Sequence, residues 1–496
     1  MSNNKYSFES MPQLRLLKNH EIEQIHEEAL KILEKSGVFF DSKEALDILE
    51  EAGCSVDFER QIARIPRVLV EKSIASTPGT LKLYDREGAF YSELGGNNVN
   101  FYPGSCPKNI LENDGISVRP STSADMRLIA KVAQNLQQID FVSTSVVCND
   151  APMELGDQYI YYNVIKNSTK PIIGGAVDIP GVARTFELLK AIRGSEKEAR
   201  EKPYTVFDIC PASPLRWSDI SSQNIIDCAR MDIPIEFISA IIVGIGSPVT
   251  LAGSILQHTA ETLSGITLAQ IIKPGIPIVY GGAPCVFNMR TMYSPMAALE
   301  SNMITCGYAL MGKYYGLPTH TYAALSDSKV IDYQAGSEST RSALLVAQAG
   351  VNNISGAGGL DIIGQQSVEK LVMDADVIGM VKHFIKGISV TEDSLACELI
   401  NEIGPGGEFL GTEHTMRWFR QEHYIDSKVL DCNERAKWER DGKISIFDRA
   451  KAQIEIIKQQ PDCPLDAKRS QDLDQAFLNV CEDAQVSSFA SQVIGK

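Results

Sequence analysis

The stretch Pro277-Ile278-Val279-Tyr280-Gly281-Gly282-Ala283 is a short β-branched run that ends in small residues, and a helical pattern follows it. The same unit recurs between residues 99 and 358, where each run ends in small or polar residues. Strands that alternate with helices in this way predict an α/β fold of the closed (β/α)8 TIM barrel type. The eight predicted strands are 99–104, 140–148, 171–177, 204–210, 234–241, 277–283, 319–325 and 351–356. Because such barrels place their chemistry at the C-terminal ends of the strands, the search for a site narrows to eight loops.

The segments on either side of the barrel predict helical extensions. Residues 1–97 form a predicted N-terminal extension that packs against one end of the barrel, and its first helix begins at Asn19 and ends at Gly37. Residues 98–388 form the predicted barrel itself. Residues 389–496 form a predicted helical C-terminal extension, with helices at 394–403 and 444–459. No flexible linker separates these parts, so we expect one compact unit.

The composition argues against several classes of partner. Acidic residues outnumber basic ones by 63 to 47, which gives a formal charge of −16 at pH 7. Such a field repels nucleic acid and anionic membranes, so we expect neither as a partner. The polar start has no signal core, and no run approaches the roughly 18 apolar residues of a membrane span. The 11 cysteines stand singly, as is typical of reduced thiols, and we expect a soluble cytoplasmic protein.

The histidines and cysteines do not predict a bound metal. Enzymes that move methyl groups often hold zinc with His and Cys, because the ion lowers the pKa of the attacking or leaving group. The seven histidines of this chain have no His or Cys partner at a ligand-like spacing. We therefore expect no metal site.

Two features near the last strands have both a functional and a structural interpretation. Gly356, Gly358 and Gly359 follow the eighth strand, where many barrels bind a cofactor phosphate with backbone N–H groups. A tight turn with positive φ, or close approach of a bulky partner, explains the same glycines. Lys329 follows the seventh strand and is a candidate Schiff-base lysine, but its polar neighbours and its position past the strand favour a solvated loop lysine.

Aromatic side chains recur at the predicted strand ends. Aromatic faces enclose a quaternary ammonium group, which has no hydrogen-bond donor, but strands also use aromatics in their cores. Asp208 would pair with a cation, and Arg290 would meet a carboxylate. The candidate substrate-binding residues are Tyr102, Phe207, Asp208, Tyr280, His320 and Tyr322, with Phe101, Tyr204, Phe237, Tyr333, Asn149, Asp150 and Asp361 nearby. No acid/base pair stands out, so no catalytic residue is assigned.

Several motifs resemble one known family over nearly the full length of the chain. They are Tyr315-Gly316-Leu317-Pro318, Ser326-Asp327-Ser328-Lys329, Gln334-Ala335-Gly336, residues 355–361, residues 406–410 with His414-Thr415, residues 33–38 and Ile65-Pro66. In these motifs the sequence resembles the trimethylamine methyltransferase family. The founding members of that family carry pyrrolysine in the barrel, whereas this sequence contains only ordinary residues. It therefore resembles the non-pyrrolysine branch.

That resemblance implies demethylation of a small quaternary amine, with glycine betaine first and proline betaine or carnitine next. The methyl acceptor would be the Co(I) corrinoid (cobalamin) of a separate corrinoid protein. A quaternary nitrogen that loses a methyl group becomes a neutral tertiary amine, so the reaction strictly needs no proton donor and no Lewis acid. The protein must supply an in-line approach and a dry cation pocket. Two alternative functions remain open: a Schiff-base lyase that uses Lys329, and a non-catalytic betaine-binding protein. Association into a homo-oligomer is also left open.

Overall fold

A computed structural model describes residues 13–424 and 427–494, and eight parallel strands lie at its centre. The strands are β1 (Asn100–Pro103), β2 (Val142–Ser143), β3 (Ile172–Gly175), β4 (Thr205–Ile209), β5 (Ile235–Ser239), β6 (Ile278–Gly282), β7 (Thr319–Tyr322) and β8 (Asn353–Ala357). Their order in the sheet is β1-β8-β7-β6-β5-β4-β3-β2. Between β1 and β2 the Asp140 N–H donates to the Phe101 carbonyl at 2.7 Å. The sheet is therefore a nearly closed barrel, and the predicted fold class is confirmed.

A helix follows each strand and covers the outside of the barrel. The helices are α1 (Ser123–Asn135), α2 (Gly156–Asn167), α3 (Gly181–Arg193), α4 (Asp219–Arg230), α5 (Leu251–Ile272), α6 (Leu299–Tyr314), α7 (Tyr333–Gln348) and α8 (Val368–Ile385). Side-chain caps begin several of them, because an oxygen at the N-cap satisfies a free backbone N–H. Ser218 accepts from the Ser221 N–H, and Ser367 accepts from the Lys370 N–H.

The N-terminal segment covers α5 and closes one end of the barrel. Helices Asn19–Lys35, Lys43–Glu51 and Arg67–Ser76 pack against α5, which is buried along most of its length. The strands Thr80–Tyr84 and Phe90–Gly95 form a hairpin whose Leu81, Leu83 and Leu94 join an apolar cluster with side chains of the barrel strands. A small sheet combines Val38–Phe40, Ser55–Asp57 and Ile62–Arg64 with Arg216–Trp217.

The C-terminal segment divides into a part that packs on the barrel and a part that does not. Ile446–Lys458 packs against α8 and α1, and Ala467–Asp483 packs against α3 and α2. The predicted helix at 394–403 is interrupted at Ala396, which has a φ of 49°. The other helices of this segment are Glu392–Leu395, Cys397–Ile403, Glu413–Glu422, Arg435–Arg440 and Ser487–Val493.

Short elements complete the connections between barrel strands and helices. A four-stranded sheet contains Asn109–Leu111, Val118–Pro120, Gly359–Leu360 and Gln365–Gln366, and a second pair joins Ile242–Val243 to Cys285–Val286. Helix Glu196–Glu201 precedes β4, and a 3-10 turn spans Met153–Leu155. Across residues 13–424 and 427–494, none of the helices combines the length and apolar character that crossing a bilayer requires.

Candidate active site inside the barrel

Strand register places a set of polar side chains in the barrel interior. Side chains alternate between the two faces of a strand, so paired residues of neighbouring strands share one face. Asp208 of β4 pairs with Glu236 of β5, and His320 of β7 pairs with Asn353 of β8. Tyr102 Oη of β1 donates to Glu236 Oε1 at 3.1 Å, and Asn353 Nδ2 donates to Glu236 Oε2 at 2.6 Å. We call these five residues the interior cluster.

Glu236 and Asp208 form a carboxyl pair within the interior cluster. Burial raises the pKa of Glu236 well above its usual range, and the nearby Asp208 carboxyl raises it further. Burial also raises the pKa of Asp208 to about 7. Two adjacent buried carboxyl groups cannot both ionise easily near neutral pH, because each charge disfavours the other. The pair therefore retains a proton around neutral pH and gains from any cation placed beside it.

Several polar atoms of the interior cluster are left without a hydrogen-bond partner. Within the described residues these atoms are Asp208 Oδ1, both ring nitrogens of His320 and Asn353 Oδ1. His320 Nε2 lies 3.5 Å from Glu236 Oε1, and burial lowers the pKa of this histidine to about 3, so its ring is neutral. Buried polar atoms are normally paired, and a group of unpaired ones at one place is typical of a ligand site.

The interior cluster faces the C-terminal ends of the strands. The Tyr322 ring lies 5.3 Å from the His320 ring in a T-shaped arrangement, two residues further along β7. Cys106 and Cys210, which follow β1 and β4, are exposed, yet surrounding protein raises the pKa of each thiol to about 12. A side chain that is both exposed and strongly desolvated lies in a recess rather than on a convex surface. We call this open end of the barrel the mouth.

The opposite end of the interior is closed. Ile173, Val206 and Val279 of the barrel strands, Phe141 just before β2 and Tyr102 of β1 pack against Leu81, Leu83 and Leu94 of the N-terminal hairpin. All of these side chains are buried. A ligand therefore reaches the interior cluster from the mouth, which is the usual location of chemistry in this fold.

Comparison with known proteins identifies the family of a chain with this barrel and this interior. The family described as trimethylamine methyltransferase (MTTB) matches residues 1–482. The chain belongs to the trimethylamine methyltransferase family. The resemblance inferred from the sequence motifs is thereby confirmed, and the protein is a methyltransferase of this family.

Several known proteins align with this chain over almost its whole length. Trimethylamine methyltransferase MttB of Desulfitobacterium hafniense is 32% identical over 451 residues, which cover 91% of this chain and 90% of that protein. MttB of Methanosarcina thermophila is 33% identical, and the alignment covers 93% of this chain and 96% of that protein. The glycine betaine methyltransferase of Desulfitobacterium hafniense is 30% identical, and the alignment covers 90% of this chain and 93% of that protein.

A solved structure shows the same fold. The monomethylamine methyltransferase MtmB of Methanosarcina barkeri superposes with a TM-score of 0.52 and 12% sequence identity. The match covers 91% of this chain and 90% of that one.

Two of the predicted substrate-binding residues do not face the interior of the barrel. The Phe207 ring stacks on Tyr161 of α2 with centroids 6.3 Å apart. Tyr280 Oη donates to Thr259 Oγ1 of α5 at 3.0 Å. Both residues lie one position away from an inward-facing neighbour, so strand alternation turns them toward the helices. Their assignment to the substrate site is corrected accordingly, whereas Tyr102, Asp208, His320 and Tyr322 are brought together.

The other aromatic candidates also serve the packing of the barrel. Phe237 contacts Trp217 with ring centroids 5.4 Å apart, and the Arg193 guanidinium lies 5.4 Å from the centre of the Tyr204 ring. Phe101 is buried opposite Ile354, and Tyr333 is 91% exposed at the start of α7. None of these four placements brings the ring into the interior cluster.

The glycines after β8 have a clear structural use. Gly356 and Gly358 have φ values of 133° and 82°, and a Cβ at Gly356 would overlap the Ala323 carbonyl. The Gly358 N–H donates to Asp374 Oδ2 at 2.7 Å, and Gly359 pairs with Gln366. The turn therefore requires glycine at two positions. Binding of a cofactor by Gly356, Gly358 and Gly359 stays a prediction.

The charged candidates near the mouth differ in how much of their hydrogen-bonding capacity is already used. Lys329 is 69% exposed, and its Nζ lies 3.3 Å from Asp361 Oδ1 and donates to the Asp327 carbonyl. Asp150 accepts from the Ser123 N–H, and Asn149 donates to the Ser121 carbonyl. Arg290, in the loop after β6, is exposed. Within residues 13–424 and 427–494, no group of three or more His, Cys, Asp or Glu residues is placed to hold a metal ion.

Sequence reasoning missed two members of the interior cluster, Glu236 and Asn353. Glu236 is the one acidic residue in the run Ile235-Glu236-Phe237-Ile238-Ser239, which was predicted as a buried strand. An acidic side chain in such a strand is expensive unless it has a function or a partner, and this signal was available. Asn353 lies beside another asparagine at the start of β8, and nothing in the sequence separates the two.

Proposed function

We propose that this methyltransferase takes a methyl group from a small quaternary amine, with glycine betaine as the first candidate. The acceptor is the Co(I) corrinoid of a separate corrinoid protein. The observation that carries the substrate class is the buried carboxyl pair Asp208–Glu236 at the centre of a one-ended pocket. The similarity to a glycine betaine methyltransferase supports the same choice. Reduced thiols and a Co(I) acceptor both fit the cytoplasm.

A quaternary ammonium group suits this pocket because it carries positive charge and no hydrogen-bond donor. Its charge interacts with the carboxyl pair in a low-dielectric interior, where electrostatic attraction is stronger than in water. The faces of Tyr102 and Tyr322 add cation–π attraction, and the neutral His320 ring adds no repulsion. The carboxyl pair and both tyrosine rings therefore stabilise a bound trimethylammonium group.

The pocket also fits the charge changes of the reaction. As the methyl group leaves, the nitrogen loses its positive charge and becomes a tertiary amine, with the N–C bond electrons retained on nitrogen. A pair that holds one proton attracts the cation less strongly than two full charges would. Such moderate binding limits the ground-state stabilisation that the transition state loses. Since the lower end is closed by the hairpin, the acceptor approaches from the mouth, in line with the methyl group it takes.

The carboxylate of a betaine needs a partner outside the interior cluster. The cluster contains two carboxyl groups and no lysine or arginine, so a carboxylate placed there would be repelled. We propose that the ammonium group lies at the cluster with one methyl group facing the mouth, and that the carboxylate extends sideways to the rim of the mouth. Arg290, in the exposed loop after β6, is the proposed partner there, because a guanidinium binds a carboxylate with two hydrogen bonds.

The test uses purified protein, free cob(I)alamin and each candidate amine. With glycine betaine we expect the methylcobalamin spectrum together with one equivalent of dimethylglycine, detected by NMR. Proline betaine, carnitine and tetramethylammonium are compared under the same conditions, and Asp208→Asn, which removes the charge expected to bind the ammonium group, is the matched control. If no quaternary amine yields methylcobalamin, the proposal fails, and calorimetric binding without transfer would favour a betaine-binding protein.

A separate comparison tests the orientation of the substrate. Arg290→Ala should weaken binding of glycine betaine but not of tetramethylammonium, which has no carboxylate. Equal effects on both ligands, or no effect on either, would remove Arg290 from the site while leaving the ammonium position untouched.

A further inference from the structure

A buried acidic side chain on helix α5 lies behind the mouth. Glu261 is fully buried, and its carboxylate points from α5 to the ends of β4 and β5. In the part of the chain that the structure describes, no lysine or arginine forms an ion pair with it. A carboxylate that loses its hydration without gaining a cation is costly unless hydrogen bonds replace the lost water. The donors around Glu261 therefore indicate what this residue does.

Four donors from three parts of the chain converge on this carboxylate. Oε2 accepts from Ser213 Oγ at 2.8 Å and from Ser239 Oγ at 2.6 Å. Oε1 accepts from the Leu215 N–H at 2.9 Å and from Gln257 Nε2 at 2.9 Å. Ser213 and Leu215 belong to the loop after β4, and Ser239 is the last residue of β5. One side chain of α5 thus joins the mouth ends of two neighbouring strands.

These two strands carry the carboxyl pair of the interior cluster. The register pairs Asp208 with Glu236, and in the described residues the pairing of β4 with β5 ends at the next pair, Ile209 with Phe237. From that pair to the mouth, the bonds to Glu261 connect the two strand ends. The wall directly above the carboxyl pair therefore depends on Glu261 rather than on the backbone of the sheet.

The loop after β4 has a backbone conformation that depends on this contact. Leu215 has a φ of 48°, in the left-handed region that a leucine rarely adopts. Its N–H donates to Glu261, and its carbonyl accepts from the Phe39 N–H at 3.0 Å. A conformation of this kind persists where the surrounding contacts fix it. Without the acceptor at Glu261, the Leu215 N–H loses its partner and we expect the loop to shift.

The same contacts extend to the loop after β5. Gln257 Nε2, which donates to Glu261, also donates to the Gly246 carbonyl in that loop. A Cβ added at Gly246 would lie 3.5 Å from Ser213 Cβ, so the loops after β4 and β5 are in contact. Together these loops form the side of the mouth that is next to the carboxyl pair.

We propose that Glu261 is a positioning residue of the methyltransferase site. It holds the loops after β4 and β5 together, so that the wall above the carboxyl pair keeps water away from that pair. It does not contact the substrate and acts only through these loops. The inference rests on the proposed function for the identity of the ligand, a quaternary amine, whereas the contacts that carry it are independent of any ligand.

Two variants of the full chain separate the position of Glu261 from its charge. Glu261→Met keeps the volume and removes both acceptors, so tetramethylammonium affinity at pH 8 should fall by at least about tenfold. Glu261→Gln is the matched control, because its amide oxygen accepts from the two N–H donors while the serine hydroxyls rotate to accept from its NH2 group. Its affinity should stay within about threefold of the unmodified protein. Equal losses in both variants, or no loss in Glu261→Met, would overturn the proposal.

The pH dependence of affinity distinguishes positioning from a general loss of stability. In the Glu261→Met protein water reaches the pair, the pKa of Asp208 falls from about 7 toward its ordinary value, and affinity levels off at least about one pH unit lower. Burial raises the pKa of the tyrosines and thiols around Asp208, so none titrates in this range; they are Tyr102, Tyr161, Tyr322, Cys106 and Cys210. Asp140→Asn breaks a buried pair with Lys382 before β2, so it should lower stability without moving the profile. An unshifted profile in Glu261→Met would contradict the proposal.

Amide hydrogen exchange tests the contact without any ligand. Exchange in residues 212–217 should become at least about tenfold faster in Glu261→Met and stay unchanged in Glu261→Gln, because only the first variant removes the acceptor of the Leu215 N–H. If the unmodified protein binds no quaternary amine, the proposed function fails, and hydrogen exchange alone then decides on Glu261. Unchanged exchange in Glu261→Met would show that this residue does not hold the loop.

Discussion

The two halves of the barrel interior have opposite chemistry. Toward the hairpin, Phe141, Val206 and Val279 form a packed apolar layer. Toward the mouth, Asp208 and Glu236 place two carboxyl groups in the same barrel. Strand β4 supplies both kinds of residue, since Val206 and Asp208 lie two positions apart on one face. Stability and binding are thus separated along the barrel axis rather than between domains.

The comparison shows where the chain tolerates an energetic cost. The apolar layer gains from desolvation, whereas the carboxyl pair loses hydration and is only partly compensated by Tyr102 and Asn353. A sequence optimised for stability alone would extend the apolar layer toward the mouth. Perturbed carboxyl groups in a cleft are typical of functional sites.

The largest expected effect is on stability, at the packed end. Phe141→Ala should lower the free energy of unfolding by about 3–5 kcal/mol, because it removes a buried ring and leaves a cavity. Chemical denaturation followed by circular dichroism measures the change, with Phe141→Leu as the milder control. A loss below about 1 kcal/mol would mean that this end of the barrel is not tightly packed.

At the polar end the effect should fall on binding instead. Asp208→Asn keeps the shape of the side chain and removes the carboxylate that ionises near pH 7, so affinity for a quaternary amine should fall by about 30- to 100-fold. The free energy of unfolding should stay the same or rise, because a buried ionisable group is lost. Calorimetry and thermal unfolding of the same samples measure both. Unchanged affinity would remove Asp208 from the proposed site.

The carboxyl pair also predicts how binding depends on pH. Asp208 has a pKa of about 7 in the folded protein, above its ordinary value, so the folded state holds a proton that the unfolded state has released. Stability contributed by this group therefore falls as the pH rises from about 4 to 7. Cation binding favours the ionised pair, so affinity should rise by up to about tenfold per pH unit below pH 7 and then level off. A titration of affinity against pH checks this, and Asp208→Asn should flatten it; a flat profile in the unmodified protein would contradict the shared proton.

Two tyrosines on opposite faces of the sheet refine the comparison. Tyr280→Phe should cost about 1 kcal/mol of stability, through its bond to Thr259, and leave amine affinity unchanged. Tyr102→Phe should lower affinity a few-fold, because Glu236 loses a donor. The reverse pattern would show that the assignment of inward and outward faces is wrong.

The smallest effect is expected outside the barrel interior. Lys329→Ala should change methyl transfer by less than about twofold, because Lys329 is exposed and already paired with Asp361. Borohydride should trap no carbonyl compound on the unmodified protein. A covalent adduct at Lys329 would revive the Schiff-base alternative.

Sequence patterns located the strands of the site but did not determine which of their residues face inward. The strand run 204–210 contains both Phe207 and Asp208, and the pattern of apolar residues does not decide which of them faces inward. In a strand covered on both sides, each face is apolar, so alternation leaves no signal in the sequence. Four of the six predicted substrate residues lie together because their strands pair in one particular register.

The sequence alone determined the barrel, the order of its strands and the family, because these depend on local periodicity and on motifs that stay continuous along the chain. Only the tertiary structure decided that Asp208 meets Glu236, and that Tyr280 meets Thr259 instead of a ligand. The physical reason is strand register, since a slip of one residue exchanges the inner and outer faces. Contacts between strands far apart in the chain then determine which charges are buried together.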